Sequence, residues 1–134
     1  MLLTAVTLSC RRRDSVEQCE YEVTLTTGGE RYSGTDDNIK IQIREGGDWN
    51  NLDKSRDDDF EVGQTDTFKF EDDCVDRHQQ TTIASAGQAR VFICFSNKWL
   101  VTHVTLMCFD RSWINSWSVY KWVSCENKLE LPKK

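Results

Sequence analysis

The feature that most constrains the fold is an alternation of apolar and polar residues that begins at Cys19. The apolar positions of this stretch are Cys19, Tyr21, Val23 and Leu25. Successive side chains of a β-strand point to opposite faces, so this period of two predicts a strand with one buried face. Isoleucines at alternate positions from 39 to 43 predict a second strand of the same kind.

The segment between these two strands is a candidate calcium loop. Thr27-Gly28-Gly29 leaves the first strand, and Gly34-Thr35-Asp36-Asp37-Asn38 leads into the second. The glycines permit positive φ, and two carboxylates and an amide close the loop. Calcium takes six to eight oxygen ligands, which such a loop can supply. The alternative is that these carboxylates and the amide only form turns through side-chain to backbone hydrogen bonds.

The remaining chain consists of short apolar runs separated by polar loops. Loops are predicted at 46–59 and 110–116, and strands at 60–63, 66–71, 81–86, 89–95, 99–109 and 117–124. No segment has a helical period. Seven or eight short strands predict an all-β, antiparallel sandwich.

Length and charge limit the classes of function. A chain of 134 residues is expected to form one domain, and its formal net charge is −5. The charge is uneven, since the segment from Asp36 to Asp76 holds fourteen acidic and five basic residues. A net acidic chain without a basic stripe is not expected to bind nucleic acid. Most of the acidic residues are expected to form a solvated face, and some can gather calcium.

Six cysteines in a small domain indicate an oxidising compartment, so we expect a secreted protein with disulfides. Without the N-terminal segment five cysteines remain, so one is expected to be free or intermolecular. If the first and last strands are neighbours, the start of one lies beside the end of the other. On that basis Cys19 is predicted to pair with Cys125, while the pairing of Cys74, Cys94 and Cys108 stays open.

Both ends of the chain are expected to lie outside the folded domain. Residues 1–14 are interpreted as a tail or the remnant of a signal or pro segment, because an apolar stretch precedes Arg11-Arg12-Arg13. The domain is predicted at 19–125. Residues 126–134 are predicted to be a polar, frayed tail.

The sequence lacks the motifs of the common enzyme classes. There is no Gly-x-Ser-x-Gly turn of a serine hydrolase and no Cys-x-x-Cys pair for zinc or redox chemistry. His78 and His103 are interpreted as a solvated and a structural residue. Cys74 lies near acidic residues and His78, but a disulfide is favoured over a nucleophile. We therefore predict a binding module without enzymatic activity.

Five motifs in order resemble the PLAT domain, the β-sandwich module of lipoxygenases, animal lipases, polycystins and clostridial alpha-toxin. They are Tyr21-x-Val23-x-Leu25-x-Thr27-Gly28, Gly34-Thr35-Asp36-x-Asn38, the run from Phe60 to Phe68, Trp99-Leu100 with Val104 and Leu106, and Lys121-Trp122-Val123. The resemblance covers residues 19 to 125. It implies a C2-like sandwich of eight strands in two four-stranded sheets.

The resemblance also implies a set of calcium ligands. In this family the first loop and the turn before the penultimate strand meet at one end of the sandwich. Carried over to this sequence, the implied ligands are Thr27, Gly28, Asp36, Asn38 and Asn97. The later loop shows no clear acidic residue beside Asn97, which departs from the family pattern.

Two tryptophans in predicted loops are candidates for membrane contact, because an indole has an apolar body and a polar N–H. They are Trp49 and Trp113. The resemblance favours Trp49, expected near the calcium end; the alternative is that either ring folds back over the core. The predicted function is calcium-assisted binding to a membrane lipid surface. The alternative is a secreted protein-interaction module, or an accessory subunit that docks onto a lipid-acting enzyme or toxin partner.

Overall fold

The computed structural model describes residues 17–35, 37–52, 59–86 and 98–134. Within these ranges the chain forms eight β-strands in two four-stranded sheets whose neighbouring strands are antiparallel, which confirms the predicted sandwich. The strands are β1 (Gln18–Thr27), β2 (Ile39–Gln42), β3 (Trp49–Asn51), β4 (Thr65–Asp73), β5 (Thr81–Ser85), β6 (Trp99–Cys108), β7 (Trp113–Val123) and β8 (Leu129–Leu131). The described residues include no helix long and apolar enough to cross a membrane.

The first sheet has the strand order β4-β1-β6-β7. The predicted alternation is present in β1, where the odd-numbered residues from Cys19 to Thr27 are buried. In this register Tyr21 lies opposite Phe70 on one side and Cys108 on the other. The inward face of β1 thus packs against the second sheet, and its outward face carries polar side chains.

The second sheet has the order β3-β2-β5-β8, so β1 and β2 lie in different sheets. The segment between them is therefore a crossover from one sheet to the other and not the connection of a β-hairpin. Leu100 N donates to Ser33 O (2.9 Å), and Thr35 N donates to Phe60 O (3.1 Å). These bonds hold the crossover against one end of the sandwich.

Aromatic and aliphatic side chains from both sheets fill the core. The ring centres of Phe60 and Trp99 lie 4.8 Å apart at one end. At the other end, Tyr21 stacks on Phe70 with ring centres 5.4 Å apart. Burial of a large apolar side chain stabilises a fold by about 1.5–3 kcal/mol. This core is the main source of the domain's stability.

Several strand boundaries differ from the sequence-based predictions. Residues 60–63 form a turn, because Phe60 and Gly63 have positive φ (62° and 73°) and Phe60 N donates to Asp66 Oδ2 (2.9 Å). β3 lies inside the predicted 46–59 loop, and β7 begins at Trp113. The predicted strand at 89–95 lies outside the described residues.

The expectation of a frayed polar tail after Cys125 is also wrong. Leu129 and Leu131 are buried, and β8 pairs with β5 through Leu131 opposite Thr81. The Trp117 Nε1 donates to Pro132 O (2.8 Å). The two leucines are separated by a single residue, and so short a pattern did not predict a strand. The second sheet supplies β5 as the partner that stabilises β8.

The predicted Cys19–Cys125 disulfide is wrong. Cys19 is bonded to Cys74, with a Cα–Cα distance of 4.9 Å. The first and last strands of the sheet are not neighbours, because β1 lies between β4 and β6 while β7 pairs with β6. Cys74 follows directly after β4, whose Asp72 lies opposite Cys19. Cys125 is also disulfide-bonded, and Cys108 is a buried free thiol.

Candidate functional site

Three segments meet at the end of the sandwich where β1 stops, and we call this the loop end. They are the crossover with the last residue of β1 (residues 27–35 and 37–38), residues 59–64 and residues 98–100. Gly28 N donates to Leu100 O (2.9 Å), and Gly28 O accepts from Gly63 N (2.9 Å). The opposite end, which carries the Cys19–Cys74 bond, is called the disulfide end.

Thr27 and Gly28, two of the predicted calcium ligands, help to hold the loop end together. The Thr27 hydroxyl accepts a hydrogen bond from Trp99 Nε1 (2.8 Å), and Thr27 is 1% exposed. The Gly28 carbonyl accepts from Gly63. A carbonyl or hydroxyl oxygen has two lone pairs, so each of these oxygens can accept a second partner. Their positions are fixed before any ligand arrives.

Asp37 and Asn38, at the end of the crossover, differ in burial and in their hydrogen-bond partners. Asp37 is 2% exposed, and its Oδ2 accepts a hydrogen bond from Ser85 Oγ (2.8 Å). Its backbone N–H donates to Thr35 Oγ1 (3.0 Å), which is the local turn bonding expected of such residues. Asn38 is half-buried, and its carbonyl accepts from Ala86 N (2.8 Å). Asp37 thus ties the crossover to β5.

The structure brings Thr27, Gly28 and Asn38 to the same end of the sandwich. Asp36 and Asn97 lie outside the described residues, so the ligand set as a whole stays a prediction. The sequence analysis missed two acidic residues at this end, Asp59 and Glu61. They flank Phe60, whose carbonyl bonds to the crossover, and the run Asp57-Asp58-Asp59-Phe60-Glu61 was the signal that could have indicated them.

Trp49 does not lie beside the predicted calcium ligands. It pairs with Gln42, at the end of β2 away from the crossover, and Lys40 Nζ lies 4.7 Å from the centre of its ring. The next residue, Asn50, donates to Asp72 Oδ2 (2.8 Å), and Asp72 lies opposite Cys19. The expected location of Trp49 at the calcium end is therefore wrong, because the β2–β3 turn packs toward the disulfide end.

Trp113 also lies toward the disulfide end. Its Nε1 donates to Val75 O (3.1 Å), and its ring centre is 6.1 Å from that of Tyr21. The indole packs against the core cluster and is half-buried. This is the geometry of the alternative in which the ring folds back over the core.

The exposed apolar side chains of the loop end are Tyr32 and Val62, which the sequence analysis did not single out. Tyr32 is 77% exposed and Val62 49% exposed. Tyr32 has a φ of 64°, and the Arg31 guanidinium carbon lies 5.3 Å from the centre of its ring. Tyr32 lies on the crossover and Val62 lies on the 60–63 turn. Both therefore project from the end that holds Thr27, Gly28 and Asn38.

The comparisons with known proteins agree with this architecture. The sequence profile described as the PLAT/LH2 domain matches residues 21–131. The chain belongs to the PLAT/LH2 domain family. The match extends through β8, so the PLAT sandwich includes residues beyond the predicted boundary at 125. No curated protein sequence matches the chain with statistical significance.

Two lipoxygenase structures contain a similar PLAT domain. Coral 8R-lipoxygenase, whose structure is described in terms of calcium activation through a C2-like domain, is 26% identical with a TM-score of 0.72, and the match covers 85% of this chain and 17% of that enzyme. A calcium-dependent 11R-lipoxygenase is 25% identical with a TM-score of 0.55, and the match covers 86% of this chain and 17% of that one.

The fold is shared with a bacterial toxin. Alpha-toxin from an avian strain of Clostridium perfringens is 20% identical with a TM-score of 0.63, and the match covers 87% of this chain and 32% of the toxin. The PLAT chain thus spans between about a sixth and a third of these proteins' lengths. In lipoxygenases the PLAT domain is a module distinct from the catalytic part.

Proposed function

We propose that this PLAT domain is a non-enzymatic module that binds a lipid surface with its loop end, assisted by calcium. The observation that carries the proposal is the placement of exposed Tyr32 and Val62 at the same end as Thr27, Gly28 and Asn38. Calcium activation of the related coral enzyme through its C2-like domain supports the same assignment.

Calcium would be held by oxygen atoms of the crossover and of the segment that precedes β6. The proposed ligands are those of the sequence analysis: Thr27, Gly28, Asp36, Asn38 and Asn97. Asp59 and Glu61 add negative charge at the margin of the loop end. Without a cation, these carboxylates repel anionic head groups; a bound calcium ion offsets that repulsion.

Tyr32 and Val62 replace the two tryptophans as proposed membrane contacts. A tyrosine suits the membrane interface, because its ring is apolar and its hydroxyl stays hydrated. Arg31, which lies against the Tyr32 ring, carries a charge that attracts anionic lipid. The disulfide-bonded cysteines further support a role outside the reducing cytosol.

Calcium binding is tested by thermal unfolding. Extracellular calcium modules bind with dissociation constants on the order of 0.1–1 mM, so millimolar calcium should raise the melting temperature. Asp36→Ala should abolish the increase. Asp48→Ala removes an exposed carboxylate from the β2–β3 turn and is the matched control. This variant should show the same calcium-induced increase in melting temperature as the wild type. No shift in the wild type, or an equal shift in the Asp36 variant, contradicts the site.

Lipid contact is tested by sedimentation with vesicles that contain phosphatidylserine. Tyr32→Asn removes the ring and suits positive φ, and Val62→Ser shortens the second contact. Each should weaken calcium-dependent binding while the calcium-induced shift in melting temperature remains. Trp49→Ala should bind as the wild type does. Loss of binding only in the Trp49 variant would refute the loop end as the contact surface.

A further inference from the structure

The outer face of the first sheet is divided into two chemically different halves. Toward the loop end it is a ladder of hydroxyl groups, with the Thr24–Thr67 and Thr26–Thr65 oxygen pairs each 3.1 Å apart. Toward the disulfide end the hydroxyls stop, and apolar and acidic side chains replace them. We call this second half the outer patch; it consists of Glu20, Glu22, Glu71, Met107, Phe109 and Ile114.

The centre of the outer patch is apolar. Met107 lies directly opposite Ile114 across β6 and β7, and Ile114 is 53% exposed. Phe109 follows β6 and is 42% exposed, and its ring reaches far enough over the sheet that Lys69 Nζ of β4 lies 5.8 Å from its centre. Three neighbouring apolar side chains on an outward sheet face form a surface suited to contact with another molecule.

The rim of the outer patch is acidic. Glu20 and Glu71 lie directly opposite each other in the β1–β4 pair, and both are exposed. Like charges at directly opposite positions destabilise a sheet pair. Glu22 lies beside them, opposite Met107 on one side and Lys69 on the other. A shallow depression between Glu20, Glu71, Lys69 and Phe109 joins the acidic rim to the apolar centre.

We propose that the outer patch is a docking surface for a protein segment in which apolar side chains are flanked by lysine or arginine. Apolar side chains of the segment cover Met107, Phe109 and Ile114, and its cations face Glu20 and Glu71, because Glu22 already lies opposite Lys69. The cations relieve the repulsion between the two opposed carboxylates. Such complementarity of charge guides partner choice. An anionic lipid surface has the same sign of charge as the rim, so the occupant is a protein and not a membrane.

The outer patch and the loop end can act at the same time. Glu20 and Thr27 are seven residues apart on β1, which corresponds to about 23 Å of strand. A domain seated on lipid by its loop end leaves the patch accessible to a partner. The patch does not depend on calcium, so its test is separate from the tests of the proposed function.

The test uses the full chain, labelled with ¹⁵N, and three synthetic peptides. The probe has a central Leu-Phe pair flanked on each side by two lysines. One control peptide replaces the apolar pair by two serines, and the other replaces the lysines by glutamates. Only the probe should shift the amide signals of the outer patch, and its binding should weaken with salt because exposed charges are screened. No shifts, or equal shifts with either control peptide, overturn the proposal.

Two variants of the outer patch and one matched control locate the contact. Glu71→Lys reverses one rim charge and should weaken probe binding about fivefold or more. Glu130→Lys makes the same charge change at an exposed position of β8 in the other sheet, and should leave binding within about twofold. Ile114→Thr keeps a β-branched residue while it removes apolar area, and should also weaken binding.

All three variants alter exposed positions, and an unchanged near-ultraviolet circular dichroism spectrum verifies the fold. Equal weakening by Glu71→Lys and Glu130→Lys would show attraction by net charge alone and would overturn the docking surface. Sedimentation of the domain with phosphatidylserine vesicles in the absence of calcium and probe, abolished by Ile114→Thr, would replace the protein partner by a lipid and would likewise overturn it.

Discussion

The indole nitrogen of Trp99 donates a hydrogen bond to the hydroxyl oxygen of Thr27 over 2.8 Å, and the two residues are 0% and 1% exposed. This bond joins the first residue of β6 to the last residue of β1. The next residue, Gly28, forms backbone hydrogen bonds with Leu100 and Gly63. The Thr27–Trp99 hydrogen bond therefore fixes the start of the crossover. The position of the proposed calcium ligands therefore depends on a contact inside the core.

Replacing Thr27 with valine should destabilise the domain by about 1–3 kcal/mol, because a buried indole N–H loses its acceptor while the shape is kept. Thr27→Ser keeps the hydroxyl and is the control; it should cost less. Urea unfolding at equilibrium measures both. Equal stability of the valine variant and the wild type would show that the hydrogen bond contributes little.

Gly34 is predicted to be intolerant of any side chain. A Cβ there would lie 2.8 Å from the carbonyl oxygen of Phe60, and this backbone atom cannot rotate away. Gly34→Ala should cost about 1–3 kcal/mol and loosen the crossover. Gly29→Ala, whose Cβ meets nothing within 4 Å, is the matched control and should change stability by less than about 1 kcal/mol. The expectation fails if the two variants unfold at the same urea concentration.

Loss of the Cys19–Cys74 bond should strongly destabilise the domain. The two cysteines are 55 residues apart, and a loop of that length corresponds to about 4 kcal/mol in the chain-entropy account. Cys74→Ala tests this without reduction of the disulfide at Cys125. Peptide mapping under non-reducing conditions should join the Cys19 and Cys74 fragments; a fragment that joins Cys19 to Cys125 would contradict the structure.

Tyr21 should make the domain less stable in alkali. Burial raises the pKa of its hydroxyl well above the ordinary value of 10, although the hydrogen bond from Val75 N (3.0 Å) acts in the opposite direction. Above pH 10 the unfolded chain loses this proton while the native state keeps it. The native state then binds more protons, so its free energy of unfolding falls as the pH rises, by about 1.4 kcal/mol per unit from this residue.

Comparison with Tyr21→Phe isolates this effect, because the other titrating groups are common to both proteins. The variant also loses the bonds to Asp73 O and from Val75 N, so it is less stable near neutrality. The difference in unfolding free energy should be constant from pH 8 to about 10 and shrink above it. A difference that stays constant to pH 11.5 would refute the shift in pKa.

The sequence by itself determined the character of the longer strands. The period of two in β1 was visible because each side chain's face follows from its position in the strand, and the same holds for β4 and for β6 from Val104 to Cys108. The glycines and oxygen-bearing residues of the crossover also predicted a candidate site before any pairing was known. These features depend on local geometry, so residues that are close together in the sequence are enough to predict them.

Only the tertiary structure decided which strands became neighbours. β1 and β2 are adjacent in sequence yet lie in different sheets, and Cys19 meets Cys74 because β4 pairs with β1. The pairing of β3 with β2 placed Trp49 toward the disulfide end, and the crossover between the sheets left Tyr32 exposed at the loop end. Sheet order and register arise from contacts between residues tens of positions apart, and a local sequence pattern contains no information about those contacts.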